Sequence, residues 1–237
     1  MPGNNRSVLV VDDENALRDI FVAWFRRAGY EVSAAQNGAE ALSICGDRRI
    51  DLVVSDMRMP VMDGITLARR LQDGRSPVPK ILLVTGFADL SVMEAYALGS
   101  VQSILSKPTR RSALLAEAER ALQDRAARWC GPMTEPLRNG LRASYPSLPQ
   151  ALGEGGLRLG QGGLSLEASS TMQTNEPLRL ALEFADEARR IEAQAILCWS
   201  DSRRRRLGLE IRAVAPDSRD WALEVFASHA LPAHIPE

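Results

Sequence analysis

VLVVDDE, residues 8–14, is an apolar run that stops abruptly at two carboxylates. Four aliphatic residues in succession describe a strand buried on both faces, as in a parallel sheet covered by helices. Leu17, Ile20, Phe21, Trp24, Phe25 and Ala28 then recur at steps of three and four until Gly29, an apolar helical stripe with a glycine stop. The alternation continues along the chain. Strands are expected at residues 8–11, 31–35, 52–55, 81–85 and 103–106, and helices at 17–28, 39–45, 65–71, 90–98 and 112–128. Five strand and helix pairs predict a doubly wound parallel α/β domain over residues 1–128.

In an open parallel sheet, functional groups gather at the carboxyl ends of the strands. Asp12 and Asp13 follow the first strand, Asp56 the third, Thr85 closes the fourth, and Lys107 with Pro108 follows the fifth. Three carboxylates repel one another unless a cation joins them, and an oxygen set with positions left for water and phosphate suits magnesium. Phosphoryl transfer needs an oxygen nucleophile and neutralisation of the equatorial oxygens. Asp56 supplies the first; magnesium, the Lys107 ammonium and a hydrogen bond from the Thr85 hydroxyl supply the second. Taken singly, an aspartate pair is an ordinary turn or cap and a lysine before proline an ordinary strand end. Their order at successive strand ends is what points to chemistry. Pro60, Asp63 and Gly64 read as loop structure, with Gly64 expected at a positive backbone angle.

VLVVDDE at 8–14, DMRMPVMDG at 56–64, LLVTG at 82–86 and SKP at 106–108 together resemble the response-regulator receiver family of two-component signalling. The resemblance implies Asp56 as phosphoacceptor, magnesium held directly by Asp13, Asp56 and the backbone carbonyl of Arg58, and a metal-bound water oriented by Asp12. It implies phosphoryl contacts from Lys107 and Thr85, and a sensor histidine kinase or phosphotransfer protein as donor. Such a chain is a signalling regulator rather than a metabolic enzyme, its catalysis confined to its own phosphoryl transfer and loss. One position departs from the family. An aromatic residue usually stands three places before the lysine, and here it is Ile104, so the usual threonine and aromatic switch is in question.

After Trp129 the glycines and prolines at 131, 132, 136, 140, 146, 149, 153, 155 and 156 fall too densely for a regular helix, and residues 129–150 are expected as a linker or irregular entrance. Beyond it, Leu164 and Leu166, then Leu178, Leu180 and Leu182, then Ala193, Ala195 and Leu197, then Leu207, Leu209 and Ile211 alternate with polar residues. Period two predicts antiparallel strands with one buried face. Pro216, Asp217 and Ser218 precede Trp221, Ala222, Val225 and Phe226, a terminal helix with a cap. Residues 151–237 are thus expected as a mostly antiparallel β-barrel closed by a helix.

GQGGLSL at 160–166, AILCW at 195–199, LGLEI at 207–211 and the terminal helix resemble a divergent PilZ domain, a family that often binds cyclic dimeric GMP. The resemblance implies a ligand site made by an RxxxR segment and a [DN]xSxxG turn. Arg138 and Arg142 have the first spacing. In the second, Arg158 stands at the acid or amide position and Gly160 at the serine, and only Gly163 matches. Arg138, Arg142 and Gly163 are the candidate cyclic di-GMP contacts. The two substituted polar positions favour a degenerate barrel that binds protein as an adaptor, with a cyclic di-GMP sensor as the alternative.

The 237 residues are 45% apolar and 25% charged, enough for two cores, and 30 acidic against 29 basic groups leave no global field for nucleic acid or an anionic membrane. With no helix-turn-helix or basic recognition helix, DNA is not an expected partner. Cys45, Cys130 and Cys198 are scattered and lack zinc spacing, and residues 1–7 are short and polar. Both features lead to an expected cytoplasmic location. His229 and His234 are expected on a solvated tail, the arginine run at 203–206 in an exposed hairpin turn, Trp199 and Trp221 in the core, and Cys198 in a structural role.

Overall fold

Val8, Leu9, Val10 and Val11 are fully buried because β1 (Ser7–Val11) lies inside a five-stranded parallel sheet ordered β2-β1-β3-β4-β5. The other strands are β2 (Glu31–Ala35), β3 (Leu52–Asp56), β4 (Lys80–Thr85) and β5 (Val101–Ser106), all in parallel register. The computed structural model describes residues 6–74, 77–86, 92–133, 140–168 and 177–237. The chain divides into an α/β unit, Met1–Ser91 with Ser100–Gln123, and a β unit, Val92–Gly99 with Asp124–Glu237.

In the α/β unit, successive side chains of each strand turn to opposite faces. Val8, Val10, Leu52, Val54, Leu82 and Val84 pack with Phe21, Val22 and Phe25 of α1 (Asn15–Arg27) and Leu114, Ala118 and Ala121 of α5 (Arg111–Ala121). The intervening positions serve the face of α2 (Gly38–Asp47) and α3 (Gly64–Gly74), where Ala41, Cys45, Leu67, Ala68 and Leu71 are buried. Ile20, counted in the α1 stripe, lies at its margin and is 46% exposed. The expected helix at 112–128 is two helices: α5 stops at Ala121, and Asp124 starts α6 (Arg125–Trp129) by accepting the Ala127 N–H at 2.8 Å. A capping aspartate offers the backbone an alternative to continuing the previous helix, and here that alternative wins. Of the helix expected at 90–98, α4 (Val92–Tyr96) is present, while residues 90 and 91 lie outside the described residues.

The β unit holds a six-stranded sheet ordered β6-β9-β10-β11-β8-β7. Its strands are β6 (Gly140–Tyr145), β7 (Arg158–Leu159), β8 (Gly163–Glu167), β9 (Pro177–Phe184), β10 (Arg189–Asp201) and β11 (Arg206–Val214). It is mixed, since β6 runs parallel to β9 while the other pairs are antiparallel. Within the stretch expected as a linker or irregular entrance, 129–150, the described residues carry regular structure. Trp129 is buried edge-on against Phe226 at 4.9 Å, β6 is part of the sheet, and Ser147 caps α7 (Leu148–Leu152). β6 alternates exposed and half-buried positions, with Leu141, Ala143 and Tyr145 packed against the core, but in the sequence that short alternation is obscured by the glycines and prolines around it.

Two shifts of register bend the long β10, the second between Leu197 and Trp199, and seat the Trp199 ring against Gly208, where any Cβ would collide with it. α8 (Pro216–His229) closes the core with Ala222, Val225 and Phe226. Its expected side-chain cap is absent: Ala215 is the N-cap, and the Ser218 hydroxyl instead accepts the Glu192 N–H at 3.1 Å. The arginine run is split, with 203–205 exposed at the turn and Arg206 buried, donating to Ser165 Oγ at 2.7 Å. Among the described residues, no helix is long and apolar enough to cross a membrane.

Candidate functional site

The ends of β1, β3, β4 and β5 deliver polar groups to the same rim of the α/β sheet, two of them from β1. Asp12 is 1% exposed, and its carboxylate is fixed from two sides. Oδ1 accepts the Glu14 N–H at 2.9 Å and Oδ2 accepts Lys107 Nζ at 3.1 Å. Asp56, the last residue of β3, accepts Lys107 Nζ on Oδ2 at 2.7 Å and the Arg58 N–H on Oδ1 at 3.3 Å. Asp13 is exposed beside them. One oxygen from each of Asp12, Asp13 and Asp56 lies within 4.8 Å of the other two. Thr85 ends β4, is 5% exposed, and its carbonyl accepts the Lys107 N–H at 2.6 Å.

Burial alone would favour the neutral lysine, but its hydrogen bonds to Asp56 and Asp12 outweigh that and raise the Lys107 pKa. The Asp12 pKa is raised as well, which for a carboxyl group disfavours the charged form. Its burial raises the carboxyl pKa, against the lowering effect of the Glu14 N–H and Lys107. Three carboxylates thus face a single lysine. An all-oxygen donor set with a cation already drawn to two of its members fits a hard divalent ion such as magnesium.

The loop after β3 is shaped around this cluster. Asp63 caps α3 by accepting the Thr66 N–H at 2.7 Å, as its reading as loop structure requires. Gly64 is glycine for a different reason from the one expected. It has no positive φ; a Cβ there would collide with the Asp56 carbonyl and stand 3.0 Å from the Leu83 side chain. The positive angle in this loop belongs to Val61, at φ 70°.

The candidate ligand residues of the β unit are not gathered in this way. Arg142, on β6, is exposed and pairs with Glu183 at 3.6 Å. Gly163 begins β8, with β9, β10 and β11 between the two in the sheet, and a Cβ on it would collide with the Leu209 carbonyl. Arg138 lies outside the described residues. Gly160 and Gly162 are accounted for by packing, since a Cβ on the first would stand 2.6 Å from the His234 carbonyl oxygen and one on the second would overlap the His234 ring.

The residue most misjudged in the sequence is His234 itself. It is fully buried, its ring stacked on Tyr96 at 6.0 Å and its Nε2 3.8 Å from Glu210, which also holds Arg212 at 2.9 Å. Leu231, Pro232, Ile235 and Pro236 around it were the available signal that this stretch is not a solvated tail. Glu210 was missed because Leu207, Leu209 and Ile211 account for one face of β11, whereas the strand is buried on both. Cys198 is buried as expected, its thiol pushed up to about 12 by desolvation and by Glu210.

The sequence matches the response regulator receiver domain family over residues 8–119. Response regulator receiver protein CpdR of Brucella abortus is 34% identical over 117 residues, 49% of this chain and 97% of that protein. Transcriptional regulatory protein GlrR of Escherichia coli is 34% identical over 119 residues, 50% of this chain, which spans only 27% of that longer relative. Among solved structures, chemotaxis protein CheY4 of Vibrio cholerae is 31% identical with a TM-score of 0.46, covering 50% of this chain and 99% of its own. The matches fall on the half that carries the acidic cluster and its lysine, and through that half the chain belongs to the response regulator receiver family.

Proposed function

We propose that this chain is a response regulator that receives a phosphoryl group on Asp56 from a sensor histidine kinase or phosphotransfer protein, and that its β unit is a degenerate PilZ-like output that binds protein. One observation carries the first half: Asp12, Asp13 and Asp56 converge within 4.8 Å, and Lys107 is hydrogen-bonded to two of them. Asp13, Asp56 and the Arg58 carbonyl would hold magnesium, with Asp12 orienting a bound water. When present, the ion supplies positive charge to the phosphoryl oxygens.

The chain's own groups carry the transfer. A carboxylate oxygen of Asp56 attacks phosphorus in line, so that a new O–P bond forms as the bond from phosphorus to the donor breaks and the bonding pair leaves with the donor. Lys107 turns from Asp56 to a phosphoryl oxygen, and the Thr85 hydroxyl donates to another. Hydrolysis of the resulting acyl phosphate returns the free aspartate. Labelling of the intact chain by acetyl phosphate with magnesium tests this directly, with at most one phosphoryl group per chain expected.

For the output, support for protein binding over nucleotide sensing comes from how the glycine run is used. Gly160 and Gly162 make room for residues 233–236, Gly163 makes room for β11, and Arg142 is engaged by Glu183. Two polar contacts of the PilZ ligand motif are replaced by Arg158 and Gly160, and each lost hydrogen bond typically costs about 0.5 to 1.5 kcal/mol. Isothermal titration of the full chain with cyclic dimeric GMP is expected to show no saturable binding at micromolar concentration. Saturable binding that Arg138→Ala and Arg142→Ala abolish would replace the adaptor with a sensor.

A further inference from the structure

Arg158, Ser165, Glu167 and Arg206 stand on one face of the sheet in the β unit. Arg158 lies opposite Ser165 across β7 and β8, and Glu167 lies opposite Arg206 across β8 and β11. Cross-strand partners share a face, and so do residues two apart on a strand, which brings these four side chains together. Leu207 and Leu166, paired in the next row, fill the core on the opposite face. The register that buries them obliges Arg206 to turn the other way.

Arg206 is a buried cation with little to balance it. Its Nη2 donates to the neutral Ser165 hydroxyl at 2.7 Å, and its Nη1 stands 3.9 Å from Glu167, whose side chain is 66% exposed. Its Nε has no hydrogen-bond partner among the described residues. Arg212, farther along the same strand, instead has Glu210 at 2.9 Å. Burial, then repulsion from Arg158 and Arg204, lowers the Arg206 pKa, with Glu167 acting against them. A guanidinium held away from water in this way costs stability until an anion completes its surroundings. The chain itself shows what this edge accepts. Arg158 Nη1 donates to the Glu237 backbone oxygen at 2.7 Å, and Arg204 Nη1 stands 3.8 Å from Glu237 Oε2. Glu237 thus reaches two of the three arginines with a peptide oxygen and an acidic side chain, and Arg206 is left to Ser165 and Glu167.

We propose that Arg158, Arg204 and Arg206 form the seat for an acidic peptide segment of the protein that the β unit binds, and that Glu237 holds this seat until the partner displaces it. The inference deepens the adaptor reading above and rests on it. A guanidinium fork matches a carboxylate with two parallel hydrogen bonds. Three forks drawn from β7, from the turn between β10 and β11 and from β11 itself suit carboxylates spaced along an extended chain better than one small anion. Arg203 and Arg205, exposed at the same turn, extend the positive field that steers such a partner toward the seat.

Fluorescence anisotropy of the full chain with fluorescein-labelled oligoglutamate tests the seat, with oligoglutamine as the neutral control. Saturable binding is expected for oligoglutamate alone, weakened by salt and weakened about tenfold by Arg158→Glu or Arg204→Glu. Both arginines are exposed, so circular dichroism should show these variants folded. Glu237→Gln removes the competing carboxylate and should tighten binding about two- to fivefold. In heteronuclear NMR the Arg206 Nε–H signal is expected to shift as the peptide saturates; an unmoved signal removes Arg206 from the seat. Oligoglutamate that does not bind, or that binds the two arginine variants as tightly as the original chain, overturns the acidic seat and leaves the adaptor reading standing. Unaltered affinity in Glu237→Gln overturns the role of Glu237 as occupant. Cyclic dimeric GMP that saturates at micromolar concentration and displaces the peptide overturns the adaptor reading and the acidic seat together.

Discussion

Asp12, Asp13 and Asp56 in the α/β unit and Glu210, Arg212 and His234 in the β unit are both concentrations of charge away from bulk water, yet they are balanced differently. In the first, three carboxylates face one lysine, Asp13 stays exposed, and the pKa of buried Asp12 is raised. In the second, one fully buried carboxylate faces a guanidinium at 2.9 Å and an imidazole at 3.8 Å, under a strap of backbone. Charge left uncompensated at an accessible rim is suited to bind a cation and react. Charge compensated under cover is suited to hold segments together, and removing one partner is what exposes its worth.

The largest effect expected across this comparison is all or none. Asp56→Asn should abolish magnesium-dependent labelling by acetyl phosphate while circular dichroism shows a retained fold; unchanged labelling would move the acceptor elsewhere. Next comes Glu210→Ala, which strands Arg212 and His234 and is expected to lower the unfolding free energy by about 3 to 5 kcal/mol in urea titration. Its counterpart on the surface, Glu183→Ala, breaks an exposed pair with Arg142 and should change stability by no more than about 1 kcal/mol. Equal effects of the two would erase the distinction drawn between buried and exposed charge.

Asp13→Ala is expected to weaken magnesium binding at least about tenfold, or 1.4 kcal/mol, in a calorimetric titration. The smallest effects concern pH. Because the folded pKa of Lys107 is raised, its pairing contributes fully below the ordinary value of 10.5 and is lost as pH climbs through the raised value. Lys107→Met should remove that alkaline loss from the melting profile. Asp12 has the opposite sign of benefit: its carboxyl pKa is raised above 3.8, so its ionisation costs stability as pH rises past that value. Asp12→Asn should slightly raise the melting temperature without magnesium and impair magnesium binding; a lower melting temperature would show the carboxylate to be stabilising even without the metal.

The acidic site was legible because each member lies within a residue or two of a strand end, and each strand announces itself by an apolar run. Asp12 and Asp13 after VLVV, Asp56 after LVVS and Lys107 after SILS need no long-range information to be placed on one rim once the sheet is parallel. The reason for Gly64 was less visible, since a close approach by the Asp56 carbonyl leaves no local trace that separates it from a turn. The break at Asp124, where the aspartate caps α6, falls inside a stretch expected as one helix.

By itself, then, the sequence determined the parallel α/β unit, the residues at its carboxyl rim and four of the six strands in the β unit, because periodicity and strand-end position are local properties. Only the tertiary structure decided that β6 joins the second sheet, that both faces of β11 are covered, and that residues 92–99 leave one unit for the other. It also decided that His234 is core rather than tail. These outcomes depend on which segments, far apart in the chain, bury one another. Tyr96, Glu210 and His234 carry no mutual signal in sequence spacing; what joins them is a strap passing over a glycine loop, where the absence of Cβ atoms makes the space.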